Sequence, residues 1–425
     1  MNENEIETQT QIEVTKDQET KNKNPKGFWL GILIGILFST LVCAIALKFV
    51  QEDSKQNLTG VSTSETTYES VVNEETEAKV ETIESIINQL YWEDIDEETL
   101  ETGIYRGLMD SLDDPYSVYY TPEELEELLQ DTEGIYYGIG AYITTNLTAG
   151  YVQVSKLIKN TPAAESGLEP GDYIYMVDGE DMYEKESSYV VSKIKGEEGS
   201  YVTITVIRDG VDEPIDVSVM RAKIESPTVE YEMYDNGVAY IQISEFDDVT
   251  TSQFEEAYGE AINEGMKGLI LDLRSNPGGN LQTVVDIARD LLPEGLIVYT
   301  EDKYGKTTEY TCDGTNEIQV PMVCLINGYS ASASEILSGA IKDYGIGTLM
   351  GTTTYGKGIV QKIVSLSDGS AIKLTISRYF TPNGNYIHKV GIEPDIEVEY
   401  DADAYKEGID NQLEAAKEYI AEQIN

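Results

Sequence analysis

From Gly237 onward the chain alternates apolar runs of strand length with segments of helical period, and this alternation limits the fold more than any other feature. VAYIQISEF is followed by a helical pattern from Thr251 to Glu264, which Gly265 stops. The run GLILDLR comes next, then another helical pattern through Leu292, then the run PMVCLIN. Strands that recur with crossover helices between them build a largely parallel sheet, so an α/β core is expected. Ligands of such sheets gather beyond the carboxyl ends of the strands. Here two strand ends run into small-residue turns, Ser275–Asn276–Pro277–Gly278–Gly279 and Gly328–Tyr329–Ser330–Ala331–Ser332–Ala333–Ser334–Glu335. Both turns are candidate site elements.

Composition narrows the chemistry. The 425 residues carry 29 basic and 78 acidic side chains, a net charge of −49, which repels a phosphate backbone and argues against a nucleic-acid partner. Of three cysteines, Cys43 lies in an apolar run, so at most one bridge, Cys312 to Cys324, can form, and no multi-cysteine metal site can be assembled. No metal or cofactor is called for. The chain has a single histidine, His388, in a polar stretch after Asn383–Gly384 that reads as a surface loop outside catalysis. Any hydrolytic mechanism must therefore work almost without imidazole.

The second turn places three serines just before a helical pattern running from Ile336 to Asp343. Backbone N–H groups at a helix start favour an oxyanion, but serine is also an ordinary helix cap, so one serine is a candidate nucleophile and the others caps. The candidate base is Lys357 in Tyr355–Gly356–Lys357–Gly358. A lysine deprotonates serine only when neutral, which burial would favour. Ile359 and Gln361 alternate on a predicted strand, so Lys357 and Gln361 are expected on one side, where an uncharged amide could orient the amine. Gly-Lys-Gly also suits a phosphate or surface loop, and the residues alone leave that choice open. Asp272 and Asp343 sit on a strand and at a helix end, and read as structural hydrogen-bonding groups rather than an acid–base pair.

Upstream, Phe28 to Leu47 is free of charged residues and long enough, at ~20 residues, to span a bilayer. Lys21, Lys23 and Lys26 precede it and Glu52 and Asp53 follow, so the N-terminus is expected inside and the rest outside. The reading is a single-pass anchor in the cell membrane. A signal peptide cleaved near Ala44–Ile45–Ala46 and lipid modification at Cys43 are the competing readings. The polar stretches 1–27 and 48–76 read as a disordered cytoplasmic tail and a linker. Residues 77–133 read as an all-helical arm suited to packing or homo-oligomer contacts, and 401–425 as a C-terminal helical segment.

Residues 134–223 read as a compact β-rich module. Tyr137–Gly138–Ile139–Gly140–Ala141 leads into the strand AYITT, Thr161–Pro162 opens a short helix that Gly167 ends, and YIYMVDG, a helix from Glu186 to Lys195 and YVTITVIRDG complete it. The order and the phrase TPAAESGLEPGDYIYMVDG resemble a PDZ domain. The resemblance implies that a peptide C-terminus adds as a strand beside Ala141–Thr144 while Ile139, Gly140 and Ala141 hold its carboxylate.

The segments LMDSLDDPYSVYYT, LILDLRSNPGG, NGYSASASEILSGAIKDYG, GTTTYGKGIVQ, ISRYFTPNGNYI and GIEPDIEV resemble, in order, the C-terminal processing peptidases, tail-specific Ser–Lys proteases. The resemblance implies a crotonase/ClpP-like core over 224–400 with the PDZ module inserted. It implies Ser332 as nucleophile, Lys357 as base, Gln361 as its orienting partner, and backbone N–H groups of Gly278 and Ala333 as the oxyanion hole. Its substrates would be polypeptides with free, unstructured C-termini. One departure is Lys195, where relatives commonly carry an arginine that couples peptide binding to activation. The competing functions are an anchored PDZ scaffold with an inactive core, which intact Ser332, Lys357 and Gln361 oppose, and an acyl-thioester enzyme, for which no coenzyme-binding feature is present.

Overall fold

The computed structural model describes residues 70–424. The apolar run 28–47, the tail 1–27 and Cys43 lie outside the described residues. No helix among the described residues is long and apolar enough to cross a membrane. The helix Glu74–Leu90 stands as a unit of its own, capped by Asn73, whose side chain accepts from the N–H groups of Glu75 and Thr76.

In the remaining chain, the strands 238–243, 268–272, 322–326, 348–351 and 396–397 pair in that order, all parallel, with 229–233 antiparallel at the first edge. Every residue of Gly268–Asp272 and of Met322–Ile326 is buried. A strand covered on both faces is apolar along nearly its whole length, which is why these runs do not alternate; the one charged residue, Asp272, is paired with Arg274. One face carries Leu269, Leu271, Cys324 and Ile326 against the helices Thr250–Asn263, Leu281–Arg289 and Ala333–Tyr344. The other carries Val238, Ile270, Val323 and Leu325 against Ala416 and Ile420 of the helix Asn411–Gln423.

That last helix is fastened to the first turn. Its cap residue Asp410 takes two hydrogen bonds from the Arg274 guanidinium, at 2.9 and 2.8 Å, and Arg274 also pairs with Asp272 at 2.6 Å. Arg274 directly precedes Ser275, so the pair fixes the base of the glycine turn. Tyr240 donates to the same Asp272 carboxylate at 2.9 Å, which makes Asp272 structural as expected.

A second sheet orders the strands 118–120, 371–380, 295–302 and 307–312, with 359–365 also on 371–380. Its first strand corrects the all-helical arm. Between the helices Glu97–Asp110 and Pro122–Glu133, Val118–Tyr120 pairs antiparallel with Ala371–Lys373. Pro115 stops helix propagation, and Val118, Tyr119 and Tyr120 are side chains that fit a pleated, half-buried surface. Residues 95–133 thus join the core through a strand.

The one bridge the cysteine count allows, Cys312 to Cys324, is not formed: both thiols are free and buried. Cys324 lies inside the central strand 322–326, whereas the Cys312 thiol, at the end of an edge strand, donates to the Leu292 carbonyl at 3.3 Å.

Between Ile135 and Glu225 lies the β-rich module, a sheet ordered 141–146, 151–157, 173–177, 201–207, 215–220. Val202, Ile204 and Val206 are buried while their neighbours face outward, the period of two of a half-covered strand. The two chain crossings into the module pair as an antiparallel ribbon, 135–138 with 222–225. Arg221 stands at the foot of that ribbon with its guanidinium donating to the carbonyls of Ile194, Lys193 and Tyr201.

Candidate active site

The two strand-end turns meet. Ser330 Oγ donates to the Leu273 carbonyl at 2.8 Å, Ser334 Oγ to that of Asn276 at 3.0 Å, and the Ala331 N–H to the same Asn276 carbonyl at 3.0 Å. Those two serines are therefore fasteners between turns. Ser332, between them, caps the helix Ala333–Tyr344 with φ 55° and ψ −112°. A non-glycine residue held there is strained by about 1–3 kcal/mol, which persists only where its surroundings over-determine it. Gly278 shows how close the turns come. With φ 105°, a Cβ added to it would lie 2.7 Å from Ser332 Cβ and 2.9 Å from the Ala333 nitrogen. Only glycine allows this approach, and it brings the two expected oxyanion donors together beside Ser332. The Gly278 N–H itself donates to Asn276 Oδ1 at 2.8 Å.

Lys357 is brought to the same place by Glu335, fully buried three residues after Ser332. Its carboxylate accepts from the Ser332 N–H at 2.9 Å and the Lys357 N–H at 2.8 Å on one oxygen. The other oxygen accepts from the Gly356 N–H at 2.7 Å and the Thr354 hydroxyl at 2.6 Å. A buried carboxylate is tolerable only when its lone pairs are filled in this way. The buried Tyr379 hydroxyl reaches the carbonyl oxygens of both Ser332, at 3.0 Å, and Lys357, at 2.5 Å. Serine and lysine segments are thus clamped on two sides.

The Lys357 side chain is half-buried, and its amine sits 4.7 Å from the centre of the Tyr116 ring. Burial holds its pKa below the ordinary lysine value, Lys373 pushes the same way, and Asp114 and Glu335 oppose them. Among the described residues, no hydrogen bond joins Lys357 Nζ to Ser332 Oγ or to Gln361. Simple strand alternation does not relate Lys357 to Gln361. The strand begins only at Ile359, and its pairing slips at a bulge between Val360 and Gln361, which breaks the simple alternation. Gln361 Nε2 donates instead to Thr375 Oγ1 at 3.2 Å.

His388 lies in the loop expected of it but is not freely exposed there. It is half-buried, its Nδ1 accepts from the Gly358 N–H at 3.4 Å, and it lines, with Tyr116, Tyr355, Thr375 and Arg378, a cavity of about 530 Å³. Asp343 accepts from the Asn383 N–H at 2.8 Å, a structural role as expected.

In the β-rich module, Gly140 has φ 86° and its carbonyl accepts from the Ile158 N–H at 3.0 Å, while the Ile139 carbonyl accepts from Ala163 at 2.8 Å. These bonds fix the Ile139–Gly140–Ala141 loop from its carbonyl side. The strand Ala141–Asn146 is an edge strand with one side unpaired in the sheet, and the helix Ser187–Ile194 buries Val190 and Ile194 in the same core as Ile139. Lys195 places its amine 5.7 Å from the Tyr136 ring centre. The guanidinium at that end of the helix belongs to Arg221 instead.

Sequence reasoning assigned no role to Glu335, Tyr379 or Tyr116. Glu335 had a signal: Ser332-x-x-Glu335 has the spacing of a helix capping box. Tyr379 and Tyr116 lie in the resembling segments ISRYFTPNGNYI and LMDSLDDPYSVYYT, but their partners are distant in sequence, so no local pattern pointed to their roles.

With this geometry in view, residues 237–398 match Peptidase family S41, residues 136–219 a PDZ domain, and residues 37–124 the N-terminal domain of the activating protease CtpB. The carboxy-terminal processing protease CtpB of Bacillus subtilis is 36% identical over 324 residues, 75% of this chain and 67% of that protein. A probable CtpA-like serine protease of Staphylococcus aureus is 32% identical over 393 residues, 90% of this chain and 76% of that protein. For the fold alone, a putative S41 protease from Bacteroides fragilis aligns with a TM-score of 0.50 at 18% identity, covering 74% of this chain and 90% of that one. The chain belongs to the S41 peptidases, as a PDZ-containing, serine-type endopeptidase of the carboxy-terminal processing group.

Proposed function

We propose that this protein is a membrane-anchored endopeptidase that captures unstructured protein C-termini in its PDZ domain and cleaves them at a Ser332–Lys357–Gln361 site. The observation that carries this reading is the clamp in which one buried carboxylate, Glu335, binds the backbone N–H of both Ser332 and Lys357 beside Gly278. Ser332 Oγ attacks the scissile carbonyl carbon while its proton passes to a neutral Lys357. The oxyanion takes the N–H groups of Gly278 and Ala333, the former turning from Asn276 to do so. The protonated lysine then gives its proton to the leaving amine, and water hydrolyses the acyl-enzyme by the reverse sequence. Gln361 orients the amine once it leaves Thr375.

The same reading assigns 28–47 to a single-pass anchor in the cell membrane with the tail 1–27 inside and the domains 134–223 and 224–400 outside. It gives the 77–133 arm a contact with a second copy. On the substrate side, Ile139, Gly140 and Ala141 supply backbone N–H donors to the terminal carboxylate, and the strand is added beside 141–144.

The test is cleavage of an unfolded protein presented with a free and with an amidated C-terminus, with Ser332→Ala as the blank. Removing a charged acceptor is worth ~1.5–3 kcal/mol, a roughly 10- to 150-fold loss of kcat/KM for the amide. Equal cleavage of both forms would rule out carboxylate capture.

A further inference from the structure

The segment LMDSLDDPYSVYYT ends in a turn that the activity has not yet used. Asp113, with φ 52°, and Pro115 set its shape, and the strand 118–120 ties it to Ala371–Lys373. The turn bears on two members of the proposed site, one directly and one through Thr375. At one end the Tyr116 ring covers the Lys357 amine at 4.7 Å, and the Tyr116 phenol adjoins that of Tyr355. At the other end Ser117 Oγ donates to Asp114 at 2.6 Å and accepts from the Thr375 N–H at 3.1 Å, and the Thr375 hydroxyl is the group that Gln361 binds. The turn thus holds Lys357 with an aromatic face and Gln361 through Thr375, and neither is bonded to Ser332.

An aromatic face attracts an ammonium and not a neutral amine. A lysine lying on Tyr116 is therefore favoured in the charged form, which cannot act as a base. The other charged groups that act on Lys357 are Lys373 from the strand 371–380, Asp114 from the turn and Glu335 from the helix, and the Tyr355 phenol bonds to that of Tyr116. The two carboxylates favour the same charged form, while Lys373 and burial disfavour it.

We propose that Tyr116 is a positioning residue: the Asp113–Ser117 turn holds Lys357 protonated and Gln361 engaged elsewhere, and displacement of the turn arms the Ser332 site. The inference rests on the assignment of Ser332 and Lys357 as nucleophile and base.

The experiment measures the rate at which full-length protein is labelled by a fluorophosphonate, in which a Ser332 Oγ–P bond forms and fluoride leaves, from pH 5 to pH 10. Unlabelled Ser332→Ala and Lys357→Ala proteins test the underlying assignment by themselves. Tyr116→Leu keeps an apolar side chain over the amine and removes the ring. Its acidic limb is expected to move down by about half to one and a half pH units, with faster labelling at pH 7. Tyr116→Phe keeps the ring and should retain the wild-type limb. A folded Tyr116→Leu protein whose limb is unmoved, or a Tyr116→Phe protein shifted as far as Tyr116→Leu, overturns the proposal. Should Tyr116→Leu not fold, Ser117→Ala releases the other end of the turn and must raise the labelling rate at pH 7. An unchanged or lower rate in that variant refutes the idea equally.

Discussion

Replacing Glu335 by Gln is the sharpest test of how the serine and lysine segments are held. The carboxylate receives four hydrogen bonds, from Ser332 N, Lys357 N, Gly356 N and Thr354 Oγ1, at 2.9, 2.8, 2.7 and 2.6 Å. A glutamine presents one acceptor oxygen and one NH2. Turned either way, the NH2 faces two groups that were donors. The milder choice puts it towards Thr354, whose hydroxyl can rotate to accept, and leaves the Gly356 N–H buried without a partner. One unpaired buried donor costs about 1–3 kcal/mol, and the two remaining bonds weaken by roughly 1 kcal/mol each once the charge is gone. The sum, about 3–5 kcal/mol, falls on the geometry that the reaction needs. At 1.4 kcal/mol per tenfold, a loss of about 100- to 1,000-fold in kcat is expected, with part of the energy appearing as lowered stability. Thr354→Val removes one donor from the carboxylate but also strips the Ile392 N–H of its acceptor, so it too is expected to be destabilising, while the N–H groups of Ser332 and Lys357 keep their charged acceptor. The assay is steady-state cleavage of an unfolded protein, with peptide binding to the PDZ domain measured separately and expected unchanged. A folded Glu335→Gln protein with kcat within threefold of wild type would refute this account.

Ser332→Ala and Lys357→Ala should each abolish cleavage and should not add when combined, and Gln361→Ala should give a partial defect; a Lys357→Ala protein at the wild-type rate would end the Ser–Lys mechanism. Because burial depresses the Lys357 pKa and the base works only when neutral, activity should rise with pH along a limb below that of free lysine, a shape that a pH–rate profile reads directly. Asp247 is pushed up to about 7 by burial and by its acidic neighbours Glu245, Asp131 and Asp248. A carboxyl raised in the folded state contributes stability at low pH that is lost as pH rises from about 4 to about 7, so Asp247→Asn should stabilise the protein above pH 7 and little below pH 4, as denaturant titrations at the two pH values will show. A tag before Lys21 should be protease-protected in intact cells and one after Asn425 accessible, and accessibility of both in membrane-retained protein would overturn the orientation.

What the chain itself determined is local and periodic. The runs 268–272 and 322–326 are buried at every position and, Asp272 apart, apolar because both faces are covered, and the turns after them announce themselves by glycine and serine. The small residues were legible because only glycine admits the approach of Gly278 to Ser332. Multi-segment resemblance then singled out Ser332 among three serines, a choice the residues alone left open. Tertiary structure decided what depends on partners far away in sequence. It gave Ser330 and Ser334 to carbonyls of the other turn, and placed Tyr379 and Glu335 across the serine and lysine segments. It also inserted the bulge at Val360–Gln361 that no alternation rule could foresee, since a bulge is set by the strand it pairs with. Hydrophobic period is a property of one segment and its solvent, so sequence carries it. The position of a lysine over the Tyr116 ring, and hence its charge, depends on the dielectric and the neighbours that only the packed fold supplies.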